Sequence, residues 1–310
     1  MVAKGAMRLR DRLPTWTLDA LLATWFAVIS AQRLAVLAGG GALGFDGRLY
    51  REATLVWLAG GDPWSVSIGG IGFGAPPPSL LAMVPFTLIP EPLALITLLA
   101  VGLVGMVLVL RRLGMPLWFL AFPPFVDAAW NANPEVLLLP LLMAGVAGPA
   151  AAGLVKAYAL VPVLVLGRWR PLAVAAVVLL LSAPVLPWGQ FLAALPEIAD
   201  RFRVQSSGGM SATSWWPLIP VAASALVLAG RDRAAWLAVP ALWPWTQWYY
   251  ATIAIPAFAK RTPPAVIAAA LLAVPIPGFP VLAAVAVAAG RVVTEGRHGT
   301  VGDQGSRSVG

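Results

Sequence analysis

The sequence predicts an all-α fold: a polytopic transmembrane helix bundle of about 10–12 membrane segments, with further helices lying along the extracytoplasmic surface. Three observations predict it. First, 60% of the 310 residues are hydrophobic and 11% charged, with a mean hydropathy of +0.84, whereas a soluble domain carries about a quarter charged residues. Second, apolar runs follow one another from Thr17 to Gly290 with short polar breaks. Each approaches the roughly 20 residues that cross the hydrocarbon as a helix, and none has the ten-residue alternation of a membrane barrel. Third, Lys and Arg gather in the breaks that would face one side.

The basic clusters are Lys4 to Arg12, Arg111-Arg112, Arg168 with Arg170, Arg231 with Arg233, Lys260-Arg261, and Arg291 with Arg297. Placing these and Arg307 inside gives 15 basic residues inside and 6 outside. Eight of the 13 acidic residues then fall outside: Asp46, Glu52, Asp62, Glu91, Asp127, Glu135, Glu197 and Asp200. Both termini are therefore expected in the cytoplasm. The net charge of +8 reports this topology rather than a nucleic-acid partner. No cysteine is present, so disulfides and thiolate metal sites are excluded, and the single histidine, His298, sits in the polar tail. Histidine metal cages and Ser-His-Asp chemistry inside the bundle are excluded with it.

The first run, 17–37, follows a basic stretch like a signal peptide but is longer than an h-region, and it reads as a retained span. Further spans are expected near 93–110, 113–126, 135–148, 149–157, 158–167, 171–187, 216–230, 234–247, 249–259, 263–275 and 279–290. The pieces 149–157 and 158–167 are too short to cross singly without thinning or re-entrance. Residues 1–294 read as one domain, with outer segments 38–92 and 188–215. The Gly- and Ser-rich tail 295–310 reads as a disordered cytoplasmic extension.

In the first outer segment, Phe45-Asp46-Gly47-Arg48-Leu49-Tyr50-Arg51-Glu52 opens a helix to about Leu58, stopped by Gly60-Gly61-Asp62-Pro63-Trp64. Asp46, Tyr50, Ala53 and Trp57 share one face of it. Trp57, Trp64 and Trp215-Trp216 suit a membrane interface. Ala75-Pro76-Pro77-Pro78 then leads into an apolar piece that ends at Pro90.

These residues form an ordered pattern. An N-in span is followed by outer Asp46–x3–Tyr50, Gly60-Gly61-Asp62-Pro63-Trp64 and a run of prolines. Then come Arg111-Arg112-Leu113-Gly114, Phe122-Pro123-Pro124, an Asn turn, Ala152-Gly153-Leu154-Val155-Lys156, and Gly167-Arg168-Trp169-Arg170. Over roughly residues 17–216 the chain resembles the GT-C superfamily of polyprenyl-phosphate-sugar-dependent glycosyltransferases. It is most similar to glycosyltransferase family 87, the actinobacterial α-mannosyltransferase type. The resemblance implies a seven-helix catalytic module, an outward-facing site with its catalytic carboxylate at Asp46, a polyprenyl-monophosphate sugar donor, and no metal or other cofactor. Where family members tend to carry Gly-Gln after the Pro-Pro turn, this chain has Trp130-Asn131-Ala132-Asn133-Pro134.

Glycosyl transfer from a phosphate needs a base for the acceptor hydroxyl and a group to stabilise the departing phosphate. Asp46 can supply the first, or it can cap helix 47–58. Lys156, with Arg201 and Arg203, can take the phosphate. Equally, Lys156 can snorkel to an interface, and the arginines can pair with Glu197 and Asp200 or with anionic lipid. Asp62 can bind substrate or form the turn before Pro63. Asp127, Asn131 and Glu135 flank an outer turn and can hold acceptor hydroxyls or be solvated loop residues. Tyr50 and Trp215, like Trp216 and the outer turn Gln247-Trp248-Tyr249-Tyr250, can stack on a sugar or anchor in the aromatic belt. Arg33 reads as snorkelling.

The expected activity is transfer of a sugar, mannose on the resemblance, from a polyprenyl-phosphate donor to an extracytoplasmic glycolipid or glycan. A transporter or lipid flippase, and an inactive scaffold of envelope synthesis, are the alternatives. Ionisable residues gather at span ends and no paired repeat stands out, which weighs against transport.

Overall fold

The computed structural model describes residues 15–40, 43–205 and 209–302. The basic stretch from Lys4 to Arg12, Ser206 to Gly208 and the end of the tail lie outside the described residues. Among those described, fourteen α-helices and one hairpin of two-residue strands make an all-α fold. Two helices are long and apolar enough to cross a membrane: α1 (Thr15–Gly39) and α4 (Glu91–Arg112).

Between them lie α2 (Phe45–Leu58), the strands β1 (Ser67–Ile68) and β2 (Ile71–Gly72), and α3 (Pro78–Thr87). The hairpin is antiparallel, with Ser67 opposite Gly72. After α4 the helices shorten: α5 (Pro123–Trp130), α6 (Glu135–Leu142), α7 (Ala147–Val155) and α8 (Leu160–Val165). Then follow α9 (Trp169–Ser182), α10 (Trp188–Gln205), α11 (Leu218–Ala229), α12 (Arg231–Leu242), α13 (Pro263–Leu272) and α14 (Phe279–Gly302).

Proline explains most of the shortening. Residues 113–126 are not one span: Pro116 precedes a 3-10 turn, Leu117–Ala121, and Pro123-Pro124 then restart the chain as α5. A proline has no amide to donate and disfavours helix in the residue before it. Residues 249–259, expected as a span, form a 3-10 helix, Trp248–Phe258, that includes Pro256. The last helix, α14, runs to Gly302. No proline or glycine interrupts Arg291 to Glu295, where Arg291 pairs with Glu295 one turn on at 2.7 Å.

The basic breaks meet at one end of the bundle. Arg112 bonds the carbonyl of Met143 (2.8 Å), and Arg168 bonds those of Leu142 and Gly145 (both 3.3 Å). Arg231 bonds Val165 (2.7 Å), Arg291 lies against Gly230, and Arg261 pairs with Asp19 (2.6 Å). At the other end of α4, Arg48 pairs with Glu91 at 2.9 Å and Arg51 bonds the carbonyls of Phe86 and Ile89 at 3.2 Å. The two ends that the charge pattern separates are thus separated in space along α4.

α4 also serves as a depth gauge. Gly47 of α2 faces Leu95, and Gly102 faces Val136 of α6. Seven residues of helix separate these contacts, about 10 Å at 1.5 Å per residue. The absence of a Cβ at Gly102 and Gly105 lets α6 come close, since a methyl there would sit 2.4 Å from Val136 and 2.8 Å from Pro140. Such small-residue interfaces are a common way to bring apolar helices together.

Candidate functional site

The site starts at the first turn of α2. Gly44 precedes it with φ 73° and no side chain caps the helix. Instead, backbone amides tie it to the Asn turn: Gly44 N bonds Trp130 O (2.9 Å), and Gly47 N bonds Asn131 O (3.1 Å). Gly47 is required here, because a Cβ would meet Leu95 at 2.5 Å and Ala132 at 3.0 Å. The same turn takes Ala132 to φ 46°, a left-handed conformation that a residue with a Cβ rarely adopts.

Asp46 does not cap α2, and the capping role is thereby corrected. Its Oδ2 accepts a 2.6 Å hydrogen bond from Asn133 Nδ2. Asn133 is itself fixed, because its Oδ1 accepts from Glu135 N at 2.9 Å and it is buried. Burial pushes the Asp46 carboxyl above its ordinary value. The Asn133 bond and the charge of Lys156 pull it down, and Asp127 pushes it up. Tyr50, one turn along α2, is likewise pushed up by burial and drawn down by Lys156.

Lys156 stands in an extended break (φ −142°, ψ 113°) between α7 and the turn Ala157–Ala159. The break bends the chain so that the ammonium lies 5.3 Å from the centre of the Tyr50 ring and 6.0 Å from that of Tyr250. These are cation–π distances, so Lys156 points into the fold and not outward to an interface. Tyr250 stacks on Tyr158 with centroids 4.1 Å apart, and Tyr249 packs edge-on to Tyr250. The Tyr158 hydroxyl donates to Glu135 Oε2. All four tyrosines of the chain therefore surround Lys156 or its neighbours. Asp127 is buried and pairs with Arg33 Nε at 2.5 Å, while Arg33 also lies 5.8 Å from the Trp248 ring. Arg33 is a counter-ion here, which corrects its reading as a snorkelling residue.

The structure thus brings together Asp46, Tyr50, Asp127 and Lys156, and leaves the other sequence candidates elsewhere. Asp62 turns the chain, its carboxylate accepting from Trp64 N at 3.0 Å. Asn131 ends α5 by donating to Asp127 O at 2.9 Å, and only its backbone carbonyl holds α2. Arg201 covers Gly72 of the hairpin and bonds Glu197 and Trp64 O, both at 3.3 Å. Arg203 pairs with Asp200 at 3.1 Å on an exposed surface. Trp215 is 61% exposed.

Asn133, Tyr158 and the full role of Glu135 were missed. The signal for Asn133 was its place two residues before an acidic helix start, where its oxygen can take the Glu135 amide. Tyr158 carried no local signal, since its partner is 23 residues away. A buried cluster of carboxylates, one lysine and four tyrosines can hold a proton at Asp46, balance an anion at Lys156 and offer aromatic faces to a ring.

The fold and site define an all-α protein with a buried, charged and aromatic-lined cluster whose Asp46 lies toward the end of α4 opposite the basic loops. No family model, curated protein or solved structure matches the chain.

Proposed function

We propose that this protein is a multi-pass bacterial plasma-membrane glycosyltransferase with cytoplasmic termini and an extracytoplasmic active site. It moves a hexose, mannose on the resemblance to family 87, from a polyprenyl-phosphate donor to a glycolipid or glycan. The observation that carries this reading is the Asp46–Asn133 bond of 2.6 Å. It frees Asp46 from capping and holds its carboxylate in the cluster that contains Lys156.

In this mechanism Asp46 accepts the proton of the acceptor hydroxyl as that oxygen attacks the anomeric carbon. The bond from that carbon to the phosphate oxygen breaks, and polyprenyl phosphate leaves with the electron pair. Lys156, as a fixed positive charge in surroundings of low polarity, stabilises the charge that builds on the phosphate. A single displacement inverts the donor's anomeric configuration. The separation of basic loops from the Asp46 end supports the orientation. The lengths of α1 and α4 support membrane crossing, with the shorter helices completing the bundle.

The test is label transfer from radiolabelled polyprenyl-phosphate-mannose to native lipid extract, by wild type and Asp46→Asn in nanodiscs. Transfer by wild type alone, with the variant folded, supports the proposal. Equal transfer by both removes Asp46 as the base, and no transfer by either removes this donor. A second reading, transport or lipid flipping, draws on Glu135, which adjoins Val136 opposite Gly102 near the middle of α4. Ionisable groups at that depth often line transport paths. Flux of labelled donor lipid in proteoliposomes without chemical turnover favours it over transfer. Absence of both activities, with the protein bound to other envelope enzymes, favours a scaffold.

A further inference from the structure

Glu135 is the one buried carboxylate of the cluster, among the described residues, with an oxygen that nothing satisfies. It opens α6 and is 1% exposed. Oε2 accepts from the Tyr158 hydroxyl, but Oε1 is buried without a hydrogen-bond partner. Lys156 attracts it electrostatically yet forms no ion pair within 4.0 Å. Buried polar atoms in native proteins are nearly always paired with protein, water or ligand. An unpaired carboxylate oxygen therefore marks a place for a donor hydrogen.

The surroundings restrict what brings that hydrogen. Lys156 sets a positive charge against the Tyr50 and Tyr250 rings and within electrostatic reach of Glu135, where it can hold an anionic group of the same molecule. The stacked Tyr158–Tyr250 pair adds a buried aromatic wall beside Glu135, a kind of surface against which ring C–H groups pack. Asn133 lies between Glu135 and Asp46, accepting from the backbone amide of the first at 2.9 Å and donating to the carboxylate of the second at 2.6 Å.

Resting on the glycosyltransferase reading, we infer that Glu135 is a sugar-recognising residue of the donor site. Its Oε1 accepts a ring hydroxyl of the donor hexose while Lys156 holds the phosphate of the same donor. The test measures binding of polyprenyl-phosphate-hexose and of polyprenyl phosphate without a sugar, using wild type, Glu135→Gln and Lys156→Met in nanodiscs. Wild type is expected to bind the sugar-bearing lipid more tightly. Glu135→Gln loses about tenfold to hundredfold of that preference while keeping or gaining affinity for bare polyprenyl phosphate, and Lys156→Met weakens both.

Donors lacking one ring hydroxyl at a time give a readout that needs no variant. One of them loses the same factor on wild type. A Glu135→Gln protein that keeps the full preference overturns the inference while leaving the transferase reading standing. Equal wild-type affinity for both lipids also overturns it. Failure of wild type to bind either lipid removes the transferase reading itself.

Discussion

Removing the Asn133 side chain tests the arrangement at its narrowest point. Asn133→Ala deletes two bonds at once: the 2.6 Å donation to Asp46 and the 2.9 Å acceptance from Glu135 N. A hydrogen bond to a charged group contributes about 1.5–3 kcal/mol, and a buried amide left without a partner costs about 1–3 kcal/mol. The variant should therefore lose about 3–5 kcal/mol. A double-mutant cycle with Asp46→Ala separates the two parts, because the Glu135 amide is lost in both arms that carry Asn133→Ala. The coupling between positions 46 and 133 should be about 1.5–3 kcal/mol. Denaturant unfolding of the four proteins in one detergent or nanodisc condition supplies the numbers. A coupling below about 0.5 kcal/mol, the scatter expected of independent sites, would refute the claim that Asn133 holds Asp46.

Transfer activity should rise with pH along an acid limb set by Asp46. That limb should lie above the ordinary carboxylate value of 3.8, since burial raises this group, and Asn133→Ala should move it higher by removing a bond that favours the charged form. For stability the sign reverses. A carboxyl raised by folding stabilises below its unfolded pKa, and that contribution is lost as pH rises through the folded one. Asp46→Asn should thus unfold no earlier than wild type at neutral pH, as followed by thermal melting. Gly47→Ala gains up to about 1 kcal/mol of helix propensity but meets Leu95 at 2.5 Å. Overpacking costs about 1–3 kcal/mol, so a net loss near 1 kcal/mol with reduced transfer is expected from melting and activity together. Arg33→Ala strands the buried Asp127, and with Arg33 35% exposed the loss should be about 2 kcal/mol, less than for a fully buried pair. Arg33→Lys should restore part of it.

Helix type and the two charged ends were legible because both follow from local chemistry. Apolar runs with no alternation specify helices, and the expected starts near 93, 135, 171, 216, 263 and 279 fall within two residues of α4, α6, α9, α11, α13 and α14. Asp46 was legible as well, since a carboxylate directly after a span stands out against an apolar background. Lys156 stood out for the same reason. Helix form in 113–126 and 249–259 was less legible, because prolines divide the first and the second folds as a 3-10 helix.

What the sequence determined by itself was the class of fold, the segregation of charge, and the prominence of Asp46 after an apolar run and of Lys156 within one. Only the tertiary structure decided what those residues touch. Asp46 and Asn133 are 87 positions apart, Arg33 and Asp127 are 94 apart, and Tyr158 and Glu135 are 23 apart. The physical reason is that a side chain's local pattern fixes its helix face, while its partner depends on how close two helices come. For α2, α4 and α6 the close approach rests on glycines at 47, 102 and 105, where a Cβ would meet Leu95, Val136 and Pro140.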